Sequence, residues 1–286
     1  GADRAVRRIL ADAAKSRFRQ PKSPDMNHAV PPRSTFRKMT YCLGILVQEG
    51  LAMLGDTRTN AGVDNIAVYR KLNVFDIPGD RAIVLGTAGN LATSQTVVSL
   101  LNEGVENRET GEVDSIFTVP SMFKCAHLVG RAVQQAHAMI GTPTMKAEAP
   151  GFDVTLLLGG QIRGGQLRLF MIYDAGNFIE ATSDTPYLQI GEHKYGKPIL
   201  DRSVTVETSI PDALKLGLIS MDSTMRSNLA VGMPIDIAVI KRDALRVSLQ
   251  HRIDSADPYF DSLRTTWSEA LRTAYQAIPS PPYRTT

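Results

Sequence analysis

Three residues in one stretch of this sequence carry usable chemistry: a threonine at 40, an aspartate sixteen positions on at 56, and a lysine thirty-one positions on at 71. A threonine hydroxyl is a weak nucleophile. At the head of a chain, however, its own α-amine lies close enough to take the proton, directly or through one water. An unperturbed α-amine has a pKa of about 7.7–8.0, so a useful fraction is unprotonated near neutrality. A lysine buried beside an aspartate would put positive charge near that amine and keep it a free base. None of the five histidines stands in a triad context, and this chemistry needs none. Taken singly, each residue has a plainer reading, Asp56 as a turn cap and Lys71 as a solvated surface residue.

For Thr40 to act it must head a chain, and the sequence changes character there. Residues 1–38 hold ten Lys/Arg against three Asp, in a short basic amphipathic stretch followed by a Pro-rich linker. Such composition offers little core, so residues 1–39 are expected to be an extension that is removed or disordered. The bland reading is a propeptide or upstream sequence; a membrane-surface element is the alternative. Residues 40–286 are read as a single domain with a C-terminal extension.

The elements that must position these residues follow at once. TYCLGILVQEGLAMLGD reads as two short strands turning at Gln48–Gly50, ending on Asp56. KLNVFDIPGDRAIVLGTAG reads as a second hairpin turning at Pro78-Gly79-Asp80, beginning at Lys71. Strand ends of adjacent hairpins can thus meet the first residue of strand one. Helices are predicted over Asn90–Glu103, with Asn90 as N-cap, and over Pro120–Ile140. DVTLLLGG, LRLFMIYDAG and NFIEAT return to strand, a helix spans about Pro211–Arg226, and two strands and a helix near Tyr259–Ala277 close the chain. This order is α+β with antiparallel sheets. It fits a four-layer αββα sandwich, and equally a one-sheet α+β fold.

Composition excludes several function classes. Beyond residue 38 the chain carries 22 basic and 26 acidic residues, so the +3 of the whole sequence is not a basic surface, and no nucleic-acid partner is expected. No run approaches eighteen apolar residues, and residues 1–38 lack the apolar core of a secretory signal, so no membrane partner is expected. Cys42 and Cys125 make no disulfide framework, which fits a reducing cytoplasm. His127 and His137 are ten apart, unlike a helical zinc pair, and are read as ordinary helix residues. Gly159-Gly160 and Gly164-Gly165 are read as turn glycines. Cys42 alternates to the face of Thr40 and is read as a small core residue.

The combination of Thr40, Asp56 with Thr57-Arg58, Lys71 and the LGTAG run at 85–89 resembles the catalytic skeleton of proteasome β subunits and the HslV peptidase, which are N-terminal-nucleophile hydrolases. MTYCLGI, the run at 56–64, YRKL and MDSTMRSN are similar to the Anbu family of bacterial proteasome-related proteins, over about Thr40 to Arg242. The resemblance implies the αββα fold and a ring or spiral homo-oligomer. It also implies amide hydrolysis of a peptide or protein substrate without metal or organic cofactor. It assigns Thr40 as nucleophile and amine base, Asp56 and Lys71 as the supporting pair, and Gly86 as the backbone oxyanion donor. Arg58 and Asn60 fall on the substrate-pairing loop, and Ser227 in the network around the amine. Whether an unfoldase feeds the assembly is left unknown. The chain departs from the pattern at Glu192, where relatives carry a serine near the amine; a carboxylate there favours the ammonium form. A small-amide amidohydrolase and a non-catalytic ring scaffold are the alternative functions.

Overall fold

Strand alternation in the first hairpin sets up the layering. β1 (Tyr41–Val47) turns Tyr41, Leu43, Ile45 and Val47 to one side and Cys42 to the other, and β2 (Gly50–Asp56) splits Ala52 and Leu54 from Leu51 and Met53. Because side chains alternate with period two, strands apolar on both faces must be covered on both faces. The computed structural model describes residues 40–60, 66–107, 111–140 and 153–283, apart from the side chains of Asn60, Ile66 and Ala67. The expected extension, 1–39, lies outside the described residues.

Two five-stranded antiparallel sheets result. The first runs in the order β12 (Tyr187–Gly191), β1, β2, β13 (Ile235–Lys241), β14 (Leu249–Ile253). The second runs β11 (Phe178–Glu180), β10 (Arg168–Ile172), β9 (Val154–Ile162), β6 (Arg81–Gly89), β5 (Leu72–Ile77). Two short ribbons, β3 (Arg58–Asn60) with β4 (Ile66–Val68) and β7 (Val105–Glu106) with β8 (Val113–Asp114), stand beside them. Five helices complete the described chain: α1 (Leu91–Glu103), α2 (Met122–Ile140), α3 (Lys197–Ser203), α4 (Ile210–Ser227) and α5 (Pro258–Ala277).

The buried apolar residues fall into three clusters, one for each interface of a four-layer stack. Ile83 and Leu85 of β6 pack with Leu128 and Val129 of α2. Tyr41 and Leu43 of β1 pack with Ala213 and Met221 of α4. Between the sheets, Cys42, Leu51 and Met53 meet Val84, Leu157 and Leu169. The four-layer αββα sandwich is therefore the arrangement adopted, and the one-sheet alternative is not. Asn90 caps α1 as expected, its side-chain oxygen accepting from Thr93 N–H at 3.1 Å.

Three local expectations change. Gly159 and Gly160 are strand residues of β9 rather than turn glycines. A Cβ on Gly159 would sit 2.5 Å from Leu51, and one on Gly160 would sit 2.3 Å from the Ala82 carbonyl, so close sheet packing explains them. Strand β12 and helix α3 were not anticipated. Their five and seven residues give too few periods to stand out beside Gly191 and Gly196.

Asp222, buried in α4, accepts from Arg226 at 2.8 Å and from Arg264 of α5 at 2.7 Å. Together with Phe260 it fastens α5 to the domain. Asp222→Ala should cost about 2 kcal/mol, by analogy with other charge-assisted bonds. It should also raise hydrogen exchange along α5; unchanged protection there would contradict this fastening.

Candidate active site

Thr40 immediately precedes β1 and is buried, and its peptide link to Tyr41 is gripped from both sides. The Thr40 carbonyl accepts from the Glu192 N–H at 2.7 Å, and the Tyr41 N–H donates to Asp56 Oδ1 at 3.0 Å. The first contact extends the β1–β12 register, in which Tyr41 faces Gly191. Gly191 has φ +79°, and a Cβ there would come within 1.9 Å of the Thr40 oxygen. Only glycine permits this approach. The second contact comes from the last residue of β2, which the β1–β2 hairpin returns to the level of Thr40.

Asp56 is fully buried. Its Oδ1 also accepts from Lys71 Nζ at 2.8 Å, and Oδ2 accepts from the Gly232 N–H at 3.3 Å. Burial pushes the Asp56 carboxyl up from the usual range, against the Lys71 charge and the two amides, which pull it down. Every one of these partners is a donor, which matches the ionised acid. Lys71, 5% exposed, precedes β5 and also donates to the Arg58 carbonyl at 2.6 Å. Burial likewise pushes the Cys42 thiol far up; it donates to the Thr87 carbonyl at 3.7 Å and lies in the core between the sheets.

The segment after α4 closes over this group. Thr57 donates through both N–H and hydroxyl to the Pro234 carbonyl, at 3.0 and 2.7 Å. The Arg58 guanidinium donates to the Leu229 carbonyl at 2.9 Å and lies flat against Gly232, where a Cβ would meet its Cζ at 2.3 Å. Arg58 thus serves Lys71 with its carbonyl and turns its side chain toward this segment. Asn60 lies on β3 opposite Ile66, and its side chain is outside the described residues.

Strand geometry changes the expected backbone donor. Thr87 N–H donates to the Lys71 carbonyl at 3.0 Å, so the amides of 85, 87 and 89 face the β5 side. Gly86 faces β9 instead, opposite Leu157, and is buried within the ladder. Its N–H is directed away from Lys71. Gly89, two residues beyond Thr87, is exposed at the end of β6 and carries φ +112°. Its N–H is on the Lys71 side, beyond the last β5 pairing. The LGTAG run contains both glycines, and register alone separates them.

Ser227 is exposed at the last position of α4. The residue that reaches the Thr40 neighbourhood from this helix end is Asn228, whose Nδ2 donates to Glu192 Oε2 at 3.1 Å. Sequence reasoning passed over it, although it closes the MDSTMRSN run. His127 packs edge-on between Phe123 and Phe178, and His137 bonds Asp174 at 2.8 Å, both away from Thr40.

The family model described as Proteasome subunit matches residues 37–240. Among solved structures, Anbu from Hyphomicrobium sp. strain MC1 is 48% identical with a TM-score of 0.77, covering 85% of this chain and 100% of that one. Anbu (ancestral beta-subunit) from Yersinia bercovieri is 44% identical with a TM-score of 0.77, covering 86% and 100%. A helical assembly of the Anbu complex from Pseudomonas aeruginosa is 44% identical with a TM-score of 0.78, covering 85% and 98%. A search of curated proteins finds no match. A sandwich of this topology, a buried Lys–Asp pair bonded to the residue after a threonine, and these similarities converge: the chain belongs to the proteasome subunit family and groups there with the Anbu proteins.

Proposed function

We propose that the chain is an N-terminal threonine hydrolase that cuts amide bonds of a peptide or protein once Thr40 heads the chain. The observation that carries this reading is the buried Lys71–Asp56 pair, tied to Thr40 through the Tyr41 amide at 3.0 Å. In the reaction, Thr40 Oγ attacks the amide carbon while the α-amine takes the hydroxyl proton. The proton passes to the leaving nitrogen, the C–N bond breaks, and an ester on Oγ remains. Water, deprotonated by the same amine, then attacks the ester; the acid leaves and Oγ regains its proton. Lys71 supplies positive charge that favours the free-base amine. The Gly89 N–H has the orientation to receive the oxyanion, a task that fits a glycine at an exposed strand end. Self-assembly belongs to the same proposal, since the Pseudomonas aeruginosa relative forms a helical assembly.

Intact mass tests the first condition. The active protein should begin at Thr40, and a chain that keeps the preceding residues yet turns over at the full rate would rule out the amine as base. Labelling with an acylating electrophile should add one adduct, placed on Thr40 by peptide mapping.

The ion pair needs a test that separates chemistry from folding. Lys71→Ala leaves Asp56 buried and uncompensated, a change costing about 3–5 kcal/mol. The double variant Asp56→Asn with Lys71→Met removes both charges and should recover much of that stability. Labelling of Thr40 should fall by about a hundredfold or more in both proteins. Wild-type labelling in the folded double variant would assign the pair to structure alone.

A further inference from the structure

Glu192 is 8% exposed, and its two carboxylate oxygens are treated unequally by the fold. Oε2 accepts from Asn228 Nδ2 at 3.1 Å, whereas Oε1 is buried and has no hydrogen-bond partner among the described residues. A buried carboxylate oxygen without a donor is costly, so a site of this kind is expected to receive one. Its location narrows the choice. Glu192 follows Gly191, the last β12 residue in register with β1, and its N–H holds the Thr40 carbonyl at 2.7 Å. That bond sets Glu192 alongside Thr40 at the end of the β1–β12 ladder, next to the residue whose nitrogen becomes an amine at a chain start.

The neighbouring charges leave the vacancy to Thr40. Asp56 and Lys71 are committed to each other at 2.8 Å, and the Arg58 guanidinium lies against Gly232, with Nη1 on the Leu229 carbonyl and a buried Nε that bonds neither Glu192 nor any other described residue. From α4, Arg226 is bound to Asp222. After β12, His193 bonds back to the Gly191 carbonyl at 3.2 Å, and Lys194 is exposed. We infer that Glu192 is a positioning residue that holds the α-ammonium of Thr40, with its free oxygen as acceptor and Asn228 fixing the carboxylate from behind. The inference rests on Thr40 being a chain start, the reading proposed above.

The consequence is a nucleophile at rest near neutrality and released at higher pH. A carboxylate beside an ammonium stabilises the charged form, so the amine gives up its proton, and becomes a base, only as the pH rises further. Lys71 acts in the opposite sense. The two residues bracket the amine with opposed charges, and its ionisation is set by their difference.

The test reads the amine itself and does not require a known substrate. Chain beginning at Thr40, verified by intact mass, is trace-acetylated with acetic anhydride across a pH series, and N-acetylation of the N-terminal peptide is quantified by mass spectrometry. Relative to wild type, Glu192→Gln should lower the pH of half-labelling by about one pH unit. Glu192→Ser should do the same, and serves if the glutamine variant fails to fold. Superimposable curves for wild type and a folded, equally assembled variant overturn the inference while leaving Thr40 as nucleophile. A preparation in which residue 39 is always retained overturns both, because no ammonium then exists. Lowered half-labelling together with electrophile capture at lower pH supports both.

Discussion

The Asp56 carboxylate is the constraint on which the site depends. Among the described residues it alone is a charge-bearing group bonded at once to the backbone of β1, through Tyr41 N–H, to Lys71, and to the segment after α4, through Gly232 N–H. Such a charge is tolerated in a dry interior only where donors surround it. That requirement works in both directions. The acid organises three chain segments that are far apart in sequence, and those segments hold it ionised. Lys71 has little freedom, because the Arg58 carbonyl takes a second of its protons at 2.6 Å. The positive charge is therefore fixed in place by the fold itself, the kind of preorganisation that the proposed chemistry calls for.

The sandwich around it holds this end of β1 rigidly. Cys42, next but one to Thr40, is locked between the sheets against Leu72 and Leu157, and Gly55 and Gly86 leave room for it. Above, Tyr41 enters the helix-side core, with its hydroxyl 2.7 Å from Ser220 and bonded by Gln189. Successive residues of β1 are thus anchored in opposite layers. Thr40 inherits its position from a strand that cannot slide, since a one-residue slip would exchange the two faces.

Much of this was legible in the sequence, for local reasons. Hairpins at Gln48–Gly50 and Pro78–Asp80 announce themselves by turn residues between apolar runs, and they place Asp56 and Lys71 at strand ends. The fold was legible only to the level of two permitted layerings, because pairing between β6 and β9, or between β2 and β13, joins segments with no shared local signal. The direction of the backbone amides in the LGTAG run was not legible. Gly86 and Gly89 sit in the same short run, and the direction of each amide follows from the hydrogen bond Thr87 makes to Lys71. Asn228 was missed because a helix-ending asparagine is commonplace; its significance lies in what Glu192, 36 residues away, presents to it.

How Thr40 is held also bears on what a chain start at this residue would change. Among the described residues, the contacts that fix its backbone act on its carbonyl and on the next amide, both on the C-terminal side of its Cα. None of those contacts uses the Thr40 nitrogen. Breaking the bond before Thr40 therefore leaves Asp56, Glu192 and the β1 register with the same partners. What changes is charge. An uncharged peptide nitrogen becomes an amine that accepts a proton, near a committed Lys–Asp pair and a carboxylate oxygen with no donor among the described residues. Among the described residues, the change is then one of electrostatics on a frame whose contacts are already made.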